Sequence, residues 1–161
     1  MEKFKTTLYV TVGIPGSGKS TMVNRVFEIL VRDYGVGKIV SRDEIRYSLV
    51  KEDEPYFSKE KEVFKTFIEE IKEALKQYNF VVADATHINR GSRIKLLRAL
   101  GSSLKDVRVV ALVMSTNLET CLERNEQREG RARVPEESII NMHQNFTIPE
   151  CEEGFDEIWL C

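Results

Sequence analysis

The chain has 161 residues, a length that suits one domain with a sizeable core, and 42% of its residues are hydrophobic while 31% are charged. These fractions argue against disorder as the default, and no apolar run approaches the roughly 20 residues that a membrane span needs. The formal net charge of −2 argues against a protein that grips a long nucleic acid along its length, because such proteins are usually basic. Any contact with nucleic acid is therefore expected to be local, at an end.

The cysteines and the N-terminus indicate the compartment. The three cysteines are an odd number without the spacing of a metal or redox site, which fits reduced thiols in the cytosol: Cys121, Cys151 and Cys161. Residues 1–5 lead directly into the first apolar run, which leaves no room for a signal peptide. Repeats, low-complexity segments and linkers are absent from the sequence. We therefore expect residues 1–161 to form a single cytoplasmic domain.

Two predicted elements flank a phosphate-binding sequence near the N-terminus. The apolar run of residues 8–12 predicts a strand, and a helix is predicted by apolar side chains at helical spacing: Met22, Val23, Val26, Phe27 and Leu30. Between them, residues 13–20 have the pattern G-x-x-x-x-G-K-S, and the strand–loop–helix context makes this a phosphate-loop prediction. A bound nucleotide is therefore expected to contact Gly13, Pro15, Gly16, Ser17, Gly18, Lys19, Ser20 and Thr21.

The chemistry of this loop predicts a nucleoside triphosphate and Mg²⁺ as its ligands. The glycines let the backbone fold around an anion with its N–H groups inward, and the helix adds the positive end of its dipole. Lys19 is expected to reach the β- and γ-phosphates, and the hydroxyl of Ser20 is expected to hold the Mg²⁺ ion.

The next predicted elements deliver polar residues at their ends. Residues 37–40 predict a second strand, which is followed by a short helix that begins near Asp43, a candidate N-cap. Residues 58–78 predict the longest helix, because their apolar side chains repeat at i, i+3, i+4 and i+7. The Lys and Glu side chains on its other face are expected to be solvated. Residues 80–83 predict a third strand, continuously apolar, which leads into Asp84, Ala85, Thr86 and His87.

The second half of the chain continues this alternation. Asn89 is predicted to cap a helix that Gly101 ends, and residues 107–114 are predicted to form the fourth strand. Residues 116–119 have the pattern of a capping box, with Thr116 as the cap of a further helix. Pro135 is predicted at the first position of the last helix, and a fifth strand is predicted near the end of the chain, at residues 157–160.

This order predicts an α/β fold, a P-loop NTPase-type three-layer sandwich with a mostly parallel five-stranded sheet and helices on both faces. Ligands of such sheets bind at the carboxyl ends of the strands. Residues 13–20, 42–46 and 84–87 and the residues after Met114 all follow predicted strands. Four strand ends are therefore expected to converge on one site.

Asp43 and Arg46 are candidates for chemistry on an acceptor. A kinase needs a group that takes the proton of the acceptor hydroxyl, and Asp43 is placed to be that base. Arg46 lies on the same helix face and could hold an anionic part of the acceptor through a bidentate contact. In the alternative reading, Asp43 only caps a helix and Arg46 only lies at the surface. The two residues alone leave both readings open.

Asp84 ends a buried strand, where P-loop proteins often place a carboxylate that coordinates Mg²⁺ or orients an arginine. It is therefore a second candidate Mg²⁺ ligand beside Ser20. The next residue, Ala85, is not acidic, so the paired acids of a motor ATPase are missing.

Several basic residues and histidines have two readings. Arg124 and Arg128 share a helix face beside Arg131 and Arg133, and one of the four is expected to be a lid arginine that reaches the phosphates. The alternative is a solvated face balanced by neighbouring glutamates. Another group is predicted to form an exposed helix face: Arg90, Arg93, Lys95 and Arg98. We expect His143 to pack between helices, and the role of His87 stays open.

The motifs at residues 13–21, 41–46, 83–89 and 124–128 together resemble the kinase domain of the 5′-polynucleotide kinases, namely the phage enzymes and the kinase half of the eukaryotic polynucleotide kinase/phosphatases. Residues 145–158 are also similar to the close of that domain in the eukaryotic proteins. The resemblance covers nearly the whole chain in order. Its most specific parts are Arg-Asp-x-x-Arg after the second strand and Asp-x-Thr after the third.

This resemblance implies transfer of the γ-phosphate of ATP, with Mg²⁺, to the 5′-hydroxyl end of DNA or RNA. Asp43 would be the general base, and Arg46 would contact the phosphate next to the acceptor nucleoside. Asp84 would orient Arg46, and Arg128 would be the lid arginine. Thr86 is expected to contact the acceptor, and Arg124 and Arg131 are expected to contact the nucleotide.

Two departures from the family pattern concern the pocket and the lid. His87 stands where the family usually has Asn, which affects the shape of the acceptor pocket. The segment between Arg128 and Val134 is of slightly different length, so Arg131 could share or take the lid role.

Two other functions compete with the polynucleotide kinase. A small-molecule kinase acting on a nucleoside, sugar or metabolite fits the acidic balance and small size, whereas Arg46 beside Asp43 favours an acceptor that already bears a phosphate. An ATP-binding switch or ATPase without an acceptor is disfavoured by the missing acid after Asp84.

Overall fold

Among the described residues, the sheet has five parallel strands in the order β2-β3-β1-β4-β5. The strands are β1 (Thr6–Val12), β2 (Gly37–Ser41), β3 (Phe80–Asp84), β4 (Val107–Val113) and β5 (Glu157–Leu160). The computed structural model describes residues 5–161. Our expectation about a signal peptide concerns residues 1–4, which lie outside the described residues.

In the part of the chain that the structure describes, six α-helices connect these strands. They are α1 (Lys19–Tyr34), α2 (Arg42–Leu49), α3 (Glu60–Gln77), α4 (Arg90–Leu100), α5 (Leu118–Glu126) and α6 (Glu136–Gln144). Within residues 5–161, no helix is long and apolar enough to cross a membrane.

Helices cover both faces of the sheet because its central strands are apolar on both sides. Leu8, Val10 and Val12 of β1 face one side, where they belong to a core with Phe67 of α3 and Leu96 of α4. On the other side, the core contains residues of α1 and of three strands: Tyr9, Val23, Leu30, Phe80, Val82, Val110 and Leu112, with Trp159 of β5 packed against it. This arrangement confirms the predicted three-layer α/β fold.

Three helix starts differ from the sequence prediction. The side chain of Ser41, not that of Asp43, caps α2, because its hydroxyl accepts a hydrogen bond from the amide of Glu44. Asn117 rather than Thr116 caps α5. The carboxylate of Asp43 and the hydroxyl of Thr116 are thereby available for other contacts. Pro135 precedes α6 as its cap residue instead of occupying the first helical position, while Asn89 caps α4 as predicted.

Arg93 was predicted to lie on an exposed helix face, but in the structure it is completely buried. Its guanidinium donates to both carboxylate oxygens of Glu153, at 2.7 and 2.9 Å, and to the backbone carbonyl of His87 at 3.0 Å. It also donates to the hydroxyl of Thr147. One buried cation therefore joins α4, the loop after β3 and the segment after α6. The prediction failed because helical spacing cannot reveal a carboxylate 60 residues away.

His87, whose role the sequence left open, is a core residue. Its side chain is buried against Phe67, and its Nδ1 lies 2.9 Å from the carbonyl oxygen of Thr11, to which it donates. Burial lowers the pKa of His87 to about 4. His143, predicted to pack between helices, is instead exposed.

We predict that Arg93→Met lowers the free energy of unfolding by about 3–5 kcal/mol, because the change leaves the carboxylate of Glu153 buried without its partner. Urea denaturation would measure the loss. Arg98→Met, on the exposed side of the same helix, is the matched control and should change little. The double variant Arg93→Met/Glu153→Leu should recover most of the loss, and failure to recover would contradict a charge-pairing origin.

The buried imidazole of His87 predicts a pH dependence of stability. Its folded-state pKa of about 4 lies below the ordinary value of about 6.5, so the unfolded state binds the proton more readily between these values. Stability should therefore fall as the pH decreases from about 6.5 to about 4, by up to about 3 kcal/mol from this group.

His87→Asn removes the titrating group and keeps a residue that tolerates the positive φ of 43° at this position. Urea midpoints of both proteins between pH 7 and pH 4.5 would show a weaker pH dependence in the variant. Parallel curves would rule out His87 as the cause.

Candidate active site

The phosphate loop lies between β1 and α1, as predicted, and its glycines have the backbone conformations that the loop needs. Gly16 has a φ of 81° and Gly18 a φ of 91°. A Cβ atom at Gly16 would lie 2.5 Å from the carbonyl oxygen of Cys121 in α5. Glycine at this position therefore satisfies both the turn and the close approach of a neighbouring helix.

Two residues at and before α5 brace this loop from the side. Arg124 donates to the carbonyl of Gly16 at 3.1 Å, and the hydroxyl of Thr116 donates to the carbonyl of Ser17 at 2.7 Å. The hydroxyl of Ser17 is itself buried, without a hydrogen-bond partner among the described residues. Arg124 thus lies beside the loop, and its contact with a nucleotide stays a prediction. The bracing role of Thr116 was missed because we read it as a helix cap.

Lys19 sits at the centre of the charges around the loop. Its Nζ donates to the carbonyl of Ile14 at 3.2 Å. Burial lowers the pKa of Lys19, and the nearby carboxylates of Asp84 and Asp43 act in the opposite direction. The side chain is therefore a cation in a largely desolvated position, where its attraction for a phosphate group is stronger than it would be in water.

One cleft of about 640 Å³ brings together most of the predicted site residues. It lies at the carboxyl ends of β1, β2 and β3. The predicted residues that line it are Pro15, Lys19, Ser20, Asp43, Arg46, Asp84, Thr86 and Arg128. The loop, α2 and the residues after β3 therefore meet as the strand ends predicted.

Asp43 belongs to a hydrogen-bonded network around Arg46. The guanidinium of Arg46 donates to Asp43 Oδ1 at 2.5 Å, to the hydroxyl of Tyr56 at 3.2 Å, and to both carboxylate oxygens of Glu60 at 2.7 and 3.2 Å. Tyr56 in turn donates to Asp43 at 3.1 Å. Although burial opposes the charge of Arg46, the hydrogen bond to Glu60 helps to raise its pKa. The carboxylate of Asp43 is thus held in place while 65% of its side-chain surface stays exposed.

This network corrects one role that the family resemblance implied. Glu60, not Asp84, forms the bidentate pair with Arg46. Asp84 instead accepts a hydrogen bond from the hydroxyl of Thr11 at 3.3 Å. Sequence reasoning missed Glu60 and Tyr56: we counted the charges of the long helix as a solvated face, and Tyr56 follows a charged break without a recognisable motif.

The arginines of the predicted lid region go to different places. Arg128 lines the cleft, and its charge is felt at Lys19. Arg131 instead donates to the carbonyl of Val50 and lies over the ring of Tyr47. Arg133 lines a separate cavity beside Pro135. Among these three side chains, only Arg128 is placed toward the phosphate loop, and its role as the lid arginine stays a prediction.

The residues around Asp84 fit a Mg²⁺ ion. Burial raises the pKa of Asp84, and the positive charge of Lys19 counteracts this rise. Ser20 and Asp84 line the same cleft and offer the hard oxygen ligands that Mg²⁺ prefers. Residues 5–161 contain no cluster of three or more metal-binding side chains, and Mg²⁺ at nucleotide sites is usually held by one or two protein groups plus phosphates.

The fold and the phosphate loop define a P-loop nucleotide-binding protein with a kinase-like fold. Within this class, the sequence model of a family described as an AAA domain matches residues 8–149. The chain belongs to that family.

Solved structures of similar fold come from proteins with several activities. Kti12 of Chaetomium thermophilum, in complex with ADP-AlF3, is 18% identical with a TM-score of 0.72, and the match covers 96% of this chain and 88% of that one. A fungal RNA kinase is 13% identical with a TM-score of 0.69, covering 99% and 75%. A sugar kinase from Janibacter sp. HTCC2649 is 15% identical with a TM-score of 0.62, covering 97% and 84%. At such identities the similarity establishes the fold and leaves the acceptor to be argued from the site.

We predict that Gly16→Ala abolishes nucleotide binding, because the new methyl group would meet backbone atoms of Cys121 in addition to straining the loop. Titration with a fluorescent ATP analogue would measure binding. Gly101→Ala is the matched control, since Gly101 also has a positive φ but open space around it. It should cost about 1–3 kcal/mol of stability through backbone strain and leave binding intact. Unchanged binding in Gly16→Ala would contradict the tight packing of the loop.

Proposed function

We propose that the protein is an ATP-dependent kinase that transfers the γ-phosphate to the 5′-hydroxyl end of DNA or RNA. The observation that carries the proposal is the exposed but fixed carboxylate of Asp43 in the same cleft as Lys19. A phosphate-binding lysine and a positioned base facing one cavity are the parts that phosphoryl transfer requires. The choice of a nucleic-acid end rests on the resemblance of four motifs to the 5′-polynucleotide kinases.

In this mechanism, the acceptor hydroxyl donates a hydrogen bond to Asp43. The hydroxyl oxygen attacks the γ-phosphorus while the bond to the oxygen bridging to the β-phosphate breaks, and the proton passes to Asp43. The amides of the phosphate loop and Lys19 hold the nucleotide, and Arg128 is proposed to stabilise the charge that spreads over the transferred group. When bound by Ser20 and Asp84, Mg²⁺ would neutralise charge on the phosphates.

The hydrogen bonds of Arg46 bear on the choice of acceptor. Four of its five N–H donors are used by Asp43, Tyr56 and Glu60. An acceptor phosphate could be gripped by Arg46 only in competition with Glu60. This observation favours, as the second candidate, a kinase for a small acceptor without a phosphate, such as a nucleoside or a sugar.

The decisive experiment is the transfer of labelled γ-phosphate from ATP in the presence of Mg²⁺. The acceptors are a 5′-hydroxyl oligonucleotide, a nucleoside 3′-monophosphate and a bare nucleoside. We expect labelling of the first two and little labelling of the third. Asp43→Asn keeps the size of the side chain but removes its basicity, and it should lower kcat about 10²- to 10⁴-fold.

Asp53→Asn, in an exposed loop, is the matched control and should retain full activity. Labelling of the bare nucleoside alone would support the small-molecule kinase. ADP formation that no acceptor changes would support an ATPase instead, and either result would refute the polynucleotide kinase.

A further inference from the structure

Three aromatic side chains extend the cleft beyond Asp43. Tyr47 comes from α2, and Tyr56 and Phe57 come from the segment before α3; all three line the cleft. Their rings pack edge to face, with centroids 6.4 Å apart for Tyr47 and Tyr56 and 4.7 Å apart for Tyr56 and Phe57. We call these three residues the aromatic wall.

The aromatic wall keeps apolar surface exposed inside a polar cleft. Tyr47 is 37% exposed and Phe57 is 47% exposed. Tyr56 is tied to the network by hydrogen bonds with Asp43 and Arg46. The hydroxyl of Tyr47 has no hydrogen bond within residues 5–161, and the side chain of Phe57 has no polar group. Shielding of the Arg46–Glu60 pair explains Tyr56 and leaves the exposure of the other two rings unexplained.

Guanidinium groups lie against the wall. The Cζ atom of Arg46 is 4.7 Å from the ring centroid of Tyr56 and 5.4 Å from that of Phe57, and the Cζ atom of Arg131 is 4.9 Å from the ring centroid of Tyr47. Exposed aromatic rings combined with arginine side chains are the surfaces on which unpaired nucleobases stack. A long duplex cannot use such a wall, whereas the last base of a strand can.

The wall is also adjacent to the proposed general base. The hydroxyl of Tyr56, the middle ring of the wall, lies 3.1 Å from Asp43 Oδ1. A nucleoside whose 5′-hydroxyl contacts Asp43 has its planar base as the next large group. Ring stacking would therefore add recognition of the base to any contact that the site makes with the acceptor phosphate.

We propose that Tyr47 and Phe57 of the aromatic wall form a stacking subsite for the base of the acceptor's terminal nucleotide. This inference rests on the proposed function and adds the element that recognises the acceptor end. It assigns to the wall a specificity role, because stacking selects for a planar base and tolerates its identity.

The test compares two oligonucleotides that differ only at the 5′ end. One begins with an ordinary nucleotide, the other begins with an abasic tetrahydrofuran residue, and both carry a free 5′-hydroxyl. We expect the wild-type kcat/KM to be about 5- to 150-fold higher for the ordinary end, since stacking of one base contributes about 1–3 kcal/mol. Tyr47→Leu and Phe57→Leu should each reduce this preference toward unity by raising the KM of the ordinary end, with the KM of ATP unchanged.

Tyr34→Leu is the matched control, because Tyr34 is an exposed aromatic residue at the end of α1, outside the cleft. It should keep the full preference. Equal use of the two ends by the wild-type protein would overturn the stacking subsite while leaving the proposed function intact, and that measurement needs no variant to fold. A preference retained in both Leu variants would also overturn it. Absence of transfer to either end would overturn the proposed function and this inference with it.

Discussion

The parallel pairing of β1 with both β3 and β4 is the constraint on which the rest of the structure depends. Val10 pairs with Ala83, and Val12 pairs with Val113. The hydrogen bonding continues past the strand ends, since the amide of Gly13 donates to Thr86 at 2.9 Å. The phosphate loop and the residues after β3 are thus joined by backbone bonds before any side chain acts. The position of Lys19 relative to Asp84 follows from this register.

Two arginines with bidentate carboxylate partners then fix the surroundings of the cleft. Arg46 with Glu60 joins α2 to α3, and Arg93 with Glu153 joins α4 to the segment after α6. A buried ion pair contributes little net stability over an apolar pair of equal size, but an unpaired partner is costly. Such pairs therefore select one arrangement of the segments they join. Here, one of these segments carries Asp43.

The sequence predicted what depends on local pattern and missed what depends on distant partners. The apolar runs of β1, β3 and β4 and the spacing of the phosphate loop are local features, and they located the sheet and the cleft. Thr116, Arg93 and Glu60 carry no local mark, because a hydroxyl near a helix start resembles a cap and a charge on a helix resembles a solvated face. Their partners become visible only when the chain is folded.

The anchoring of the loop after β3 has a consequence for how the cleft could close. Thr11 binds Ala85 and His87, Gly13 binds Thr86, and Arg93 binds the carbonyl of His87. We call residues 84–87 the floor of the cleft. Because the floor is hydrogen-bonded to β1, to the phosphate loop and to α4, we expect it to change little when a ligand binds. We call residues 128–133 the roof of the cleft. Within residues 5–161, the side chains of the roof form one hydrogen bond to the end of α2, from Arg131 to the carbonyl of Val50, the residue after the helix. If the cleft tightens around a bound substrate, we therefore expect the roof to move toward the floor, and this movement would bring Arg128 closer to the phosphate loop.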